Sequence, residues 1–189
     1  MRRAGAGFRG SVVISGVATV LLLVAITGAR RPVHPEVRGA PPWPAPGAVA
    51  TGVQEAGLAF SSSPVVVTRY AVHLDVLVDG KPVRVPAGIG VDQQKSLLAP
   101  LSTSDDSGVI HVACDASAPV FTLGQFFDEW QVPLMGATAY VNGAAYAGDP
   151  GTVVLAPHQE ILVSYGSPPA GGARSASTVP SRYAFPAGM

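Results

Sequence analysis

Val72-His73-Leu74-Asp75-Val76-Leu77-Val78-Asp79-Gly80 is the stretch on which the fold turns. Apolar and polar residues alternate through it, which places Val72, Leu74, Val76 and Val78 on one face of a strand. Asp79-Gly80 is a favoured two-residue hairpin turn, because both positions tolerate positive φ. Lys81 to Val85 returns as the second strand, and Pro82 puts that part of it at an edge or at its start. A hairpin with one apolar face needs a second layer to cover it.

Downstream, the sequence supplies that layer. A long excursion, Pro86 to Pro119, contains one short strand at Gly108 to Ala113. A helix follows. Thr122 is a good N-cap, and Gln125 three residues on completes a capping box. Leu123, Phe126, Phe127 and Trp130 recur at helical spacing as a core stripe, which leaves Asp128 and Glu129 on the other side. Pro133 stops the helix. Ala139-Tyr140-Val141 is a strand, Asn142-Gly143 a second hairpin turn, and Gly148-Asp149-Pro150-Gly151 a loop. Val153-Val154-Leu155 leads to a polar turn at Pro157-His158-Gln159-Glu160, and Ile161 to Tyr165 is the last strand. Strands on one side of a single helix predict a small α+β domain over residues 63–166.

The order of hairpin, inserted segment, helix and returning strands resembles the β-grasp (ubiquitin-like) fold. Val78-Asp79-Gly80-Lys81, Thr122-Leu123-Gly124-Gln125-Phe126-Phe127, Tyr140-Val141-Asn142-Gly143 and His158-Gln159-Glu160-Ile161 look like landmarks of its sulfur-carrier members. Those members end in Gly-Gly at the last strand, whereas Gly166 is followed here by twenty-three residues. Carrier chemistry therefore does not transfer, and fold alone does not name a function.

Upstream lies Gly10 to Ala29, twenty residues without a charge, with Arg2, Arg3 and Arg9 before it and Arg30 and Arg31 after it. At about 1.5 Å rise per residue such a helix matches the roughly 30 Å core of a bilayer. The run exceeds the usual length of a signal-peptide apolar region, so it reads as a transmembrane signal anchor over 10–29. A cleaved signal peptide, with Thr27 and Ala29 before the cut, is the alternative and implies secretion. The positive-inside rule weakly favours a cytoplasmic stub at 1–9 and the rest outside the cytoplasm. Residues 30–62 read as a Pro-rich tether, since six prolines fall between Pro32 and Pro46. Residues 167–189, rich in Pro, Gly and Ser, read as a disordered tail.

The formal charge of zero hides an asymmetry. Between Ser63 and Gly166 four basic residues face ten acidic ones, a net of −6. An acidic domain repels phosphate, which argues against nucleic-acid partners. Cys114 is the sole cysteine, so no intrachain disulfide forms and the domain stands on its apolar core, with Cys114 expected inside it.

Ala56-Gly57-Leu58, His73-Leu74-Asp75-Val76, Val85-Pro86-Ala87-Gly88-Ile89-Gly90, Ser107-Gly108-Val109-Ile110-His111-Val112 and Phe121 to Phe127 are similar to a family of bacterial and archaeal membrane-anchored or secreted proteins without an assigned activity. Its pattern carries HIHAHLD in the first strand and PLHTHDxSGIIHVE in the excursion. Histidines two apart on a strand share a face, so the resemblance implies a Zn or Cu site. This chain departs from the pattern where it matters. Arg69 and Ala71 replace the leading histidines, Ser102 and Ser104 replace the His-Thr-His pair, and Ala113 replaces the final Glu. What remains as a metal set is His73, His111 and Asp105, one short of a closed tetrahedral site. Strand alternation alone places His73 and His111 on polar faces opposite Leu74 and Ile110.

Ser102 or Ser104 with His111 and Asp105 has the residue types of a hydrolase triad, but no nucleophile-elbow Gly-x-Ser-x-Gly motif supports it. Ala87-Gly88-Ile89-Gly90 is no dinucleotide fingerprint, because no helix with a third glycine follows. The expectation is a non-enzymatic, membrane-anchored extracytoplasmic binding or interaction domain with a protein partner of unknown identity. The alternative is a weak or degenerate Zn or Cu site.

Overall fold

The computed structural model describes residues 39–61, 65–115, 119–166 and 183–185. The stub at 1–9 and the anchor at 10–29 lie outside them. Among the described residues no helix is long and apolar enough to cross a membrane.

The alternating stretch is the middle of a long strand, β1 (Thr68–Val78), followed by β2 (Lys81–Val83). Asp79 and Gly80 both take positive φ, 50° and 75°, as the hairpin turn demands. The excursion holds β3 (Val91–Asp92), β4 (Leu97–Leu98), β5 (Leu101–Ser102) and β6 (Val109–Cys114). After a short helix before β1, α1 (Val49–Glu55), the second helix is α2 (Leu123–Trp130). The chain closes with β7 (Ala137–Val141), β8 (Ala144–Ala145) and β9 (Glu160–Tyr165). This is an α+β domain, mostly strands with two α-helices among the described residues.

The main sheet runs β5-β6-β1-β9-β7-β8, with β2 also on β1. β1 serves different partners along its length. Thr68 to His73 pair antiparallel with β6, while His73 to Val78 pair parallel with β9. Register puts Val72, Leu74 and Val76 on one face with Ile110, Val112, Ile161 and Val163, and α2 lies on that face. Leu123, Phe126, Phe127 and Trp130 are each at most 1% exposed. The capping box is complete: Gln125 N–H donates to Thr122 Oγ1 at 3.3 Å, and Thr122 N–H donates to Gln125 Oε1 at 3.0 Å. Cys114 is buried within the same core.

Two expectations about what surrounds this core need correction. The tether expected over 30–62 does not extend through 39–61, which fold onto the outer side of α2. Trp43 is 8% exposed and meets Trp130 edge-on at 6.0 Å. Trp130 Nε1–H donates to the Pro44 carbonyl at 3.1 Å, and Gln125 Nε2 donates to that of Ala56 at 3.2 Å. The physical reason is local. The prolines stop at Pro46, so Val49–Glu55 is free to be helical, and one tryptophan amid the prolines carries a large apolar surface to bury. As a consequence Glu129, expected on the solvent side of α2, is 1% exposed. Gly52 of α1 sits so close to the Glu129 backbone that a Cβ there would meet its carbonyl oxygen at 2.5 Å. Neither Glu129 carboxyl oxygen has a hydrogen-bond partner among the described residues, and burial pushes the carboxyl up to about 9.

The tail also differs from expectation in one place. Tyr183 and Phe185 are half-buried against the sheet domain, because their rings find aromatic partners there. The rest of 167–189 lies outside the described residues.

Candidate functional site

The face of β1 and β6 opposite α2 carries the residues singled out by the sequence. Register sets them side by side: Arg69 opposite Ala113, Ala71 opposite His111, and His111 opposite Ser102 of β5. Positions 69, 71 and 73 of β1 therefore share one face with 111 and 113 of β6. His73 and His111 do sit opposite Leu74 and Ile110, as alternation requires, since those two lie in the core with α2. Cys114 faces that core, away from His111.

A pocket of about 470 Å³ opens on this face, lined by Arg69, Gly88, Gln93, Ser102, Ser104 and His111 together with apolar side chains that include Val91 and Leu98. Its rim is fastened. Thr103 Oγ1 donates to the Pro86 carbonyl at 2.7 Å and accepts the Ile89 N–H at 3.1 Å. The Gly88 N–H donates to the Thr103 carbonyl at 2.9 Å. Gly90 takes a φ of 70°, and a Cβ there would collide with the Leu101 carbonyl, so the loop reaches β5 only with glycine at that position. Asp106 accepts the Ala87 N–H at 3.0 Å and pairs with Arg84 at 3.1 Å.

Inside the pocket, Ser104 Oγ lies 3.0 Å from His111 Nε2. The hydroxyl donates when Nε2 is unprotonated. A serine and an imidazole in this contact are two members of a nucleophilic triad, but the third is elsewhere. Asp105 Oδ1 accepts the Ser107 N–H at 2.9 Å. Hydrogen bonds from the Ser107 hydroxyl and then its N–H hold the Asp105 carboxyl below its usual value, with the nearby His111 imidazole adding a smaller effect. His111 Nδ1 has no hydrogen-bond partner among the described residues, so no carboxylate orients the ring as a triad requires. Arg69 is exposed and has no ion-pair partner among the described residues, although the surrounding domain is acidic.

His73 belongs to a separate cluster. It is 3% exposed, its Nε2–H donates to the Ser107 carbonyl at 3.0 Å, and Nδ1 lies 3.2 Å from Glu160 Oε2 and 3.7 Å from Asp75 Oδ2. The Asp75 carboxyl is pushed up by burial, partly offset by His73, with Glu160 pushing it further up. Of the metal set, His73 is engaged by Glu160 and the Ser107 carbonyl, His111 by Ser104, and Asp105 by the Ser107 N–H. Among the described residues no group of three or more His, Cys, Asp or Glu side chains is placed to hold a metal ion.

Sequence reasoning named Arg69 only as a position where a histidine was replaced, and Ser102 and Ser104 as such positions and as residue types of a triad. It missed them as pocket walls, and it missed Glu160 as the partner of His73. Glu160 reaches His73 through the parallel β1–β9 register, which no local pattern reveals. The chain matches no family model, no curated protein and no solved structure.

Proposed function

We propose that the chain displays a small β-grasp-like α+β domain outside the cytoplasm on a membrane anchor at 10–29, and that the domain is a non-enzymatic binding module. Its pocket receives a small organic anion. The carrying observation is the 470 Å³ pocket, in which Arg69 is the one lining side chain with a permanent charge. Ser102, Ser104 and His111 add hydrogen-bonding groups beside it, and Val91 and Leu98 add apolar wall. That mixture of apolar surface with a few convergent polar groups suits a small ligand, and a guanidinium suits a carboxylate. A parallel β1–β9 pair with the β1–β2 hairpin on β1 and a helix across one face supports the β-grasp reading. The uncharged run Gly10 to Ala29 supports the anchor.

The test is thermal unfolding of the full chain in detergent with acetate, benzoate, Zn²⁺ or Cu²⁺. A ligand of the folded state raises Tm by mass action. Benzoate is expected to raise Tm in the wild type and not in Arg69→Gln. A rise with Zn²⁺ or Cu²⁺ alone, lost in both His73→Ala and His111→Ala, would replace this reading with the weak Zn or Cu site.

A further inference from the structure

Farther along the same face of β1, at its junction with β9 and outside the pocket, we infer that His73, Glu160 and His158 form a recognition site for an extended aromatic-x-aromatic peptide, occupied in cis by the chain's own Tyr183-Ala184-Phe185. The Tyr183 ring stacks on the His73 ring, with centroids 4.2 Å apart and planes 10° from parallel. Its backbone N–H donates to Glu160 Oε1 at 2.6 Å. The Phe185 ring lies 4.9 Å from the His158 ring, and the two tail rings meet edge-on at 5.1 Å. Two rings and one main-chain donor are thus read within three residues.

The receiving groups are held in place by the domain. Glu160 uses one carboxyl oxygen for His73 Nδ1 and the other for Tyr183, and the Glu160 N–H donates to Asn142 Oδ1 at 3.0 Å. Ser107 fixes the far side of the His73 ring. His158 sits at a φ of 56°, and its N–H donates to the Ala71 carbonyl at 2.8 Å, so the turn is tied to β1. The ligand has its own signal in the sequence. Tyr183 and Phe185 are the only aromatics among the twenty-three residues after Gly166, and Pro186 biases Phe185 toward the extended conformation. Sixteen residues join Gly166 to Tyr183, so docking is intramolecular and modest contacts suffice. An aromatic-x-aromatic segment from another protein must displace the tail to bind.

The experiment uses the full chain in detergent and a fluorescent peptide with the sequence of residues 179–187. The double variant Tyr183→Ala/Phe185→Ala, which empties the site without touching the core, is expected to bind the peptide at least about tenfold more tightly than the wild type, whose own tail competes at high effective concentration. Adding His158→Ala, an exposed substitution, weakens that binding. A peptide with both aromatics changed to alanine binds neither chain. In parallel, the His73 ring protons are expected to shift by some tenths of a ppm on Tyr183→Ala and to stay in place on Tyr183→Phe. Equal peptide affinity for the two chains, no binding to either, or unmoved His73 protons on Tyr183→Ala would overturn the assignment.

Discussion

The two faces of β1 do different work with the same strand. Toward α2 it presents Val72, Leu74 and Val76, and all three belong to the apolar core. Away from α2 it presents Arg69, Ala71, His73 and Asp75, and there lie the pocket, the Ser104–His111 pair and the docked tail. On the first face energy comes from area removed from water, which is tolerant of chemistry but not of lost volume. On the second it comes from directed polar contacts, which contribute little to stability and depend on residue type. Losses of stability should therefore concentrate on one face and losses of binding on the other.

The largest effect belongs to the α2 stripe. Phe126→Ala should lower unfolding free energy by about 4 kcal/mol, read by urea denaturation, because a fully buried ring leaves a cavity. Trp43→Ala should cost about 3 kcal/mol, since Trp43 packs on Trp130 as part of the domain. A change within about 0.5 kcal/mol, as expected for an unattached surface residue, would return 39–61 to the status of a tether.

Glu129 gives the next effect and a pH signature. Its carboxyl, ordinarily at 4.5, is raised to about 9 in the folded chain. The stability that the neutral form provides is full below about 4.5 and is lost as pH rises from there through about 9. Glu129→Gln, of similar shape and without charge, should raise stability at pH 8 by roughly 2 kcal/mol and flatten this decline. An unchanged slope between pH 5 and 9 would mean that the carboxyl is ionised and solvated. The smallest effect on stability belongs to the pocket: Ser104→Ala should shift it by less than about 0.5 kcal/mol while weakening carboxylate binding several-fold.

The legible part of the molecule was the part encoded by short periods. The α2 stripe, its Thr122–Gln125 capping box and the turns at Asp79-Gly80 and Asn142-Gly143 each follow from neighbours in sequence, and each is present. Trp43 was hidden by the prolines around it, whose density signals extended chain whether or not a tryptophan among them is buried. Glu129 was misplaced because a helical stripe marks only the sheet-facing side, and α1 covers another. The candidate site was legible as residue types and not as an arrangement. Whether His111 meets Ser104, Ser102 or His73 is set by the β5–β6–β1 register, and the pairing of His73 with Glu160 by a parallel strand eighty-seven positions away.

The central claim is that the face opposite α2 holds the ligand. A ¹H–¹⁵N titration of the full chain in detergent with benzoate tests it most directly. The account predicts saturable shifts at the amides of Gly88, Arg69, Ser102, Ser104 and His111, quiet amides along α2, and loss of the shifts in Arg69→Gln. Shifts confined to other surfaces, or a response that survives Arg69→Gln, would contradict it.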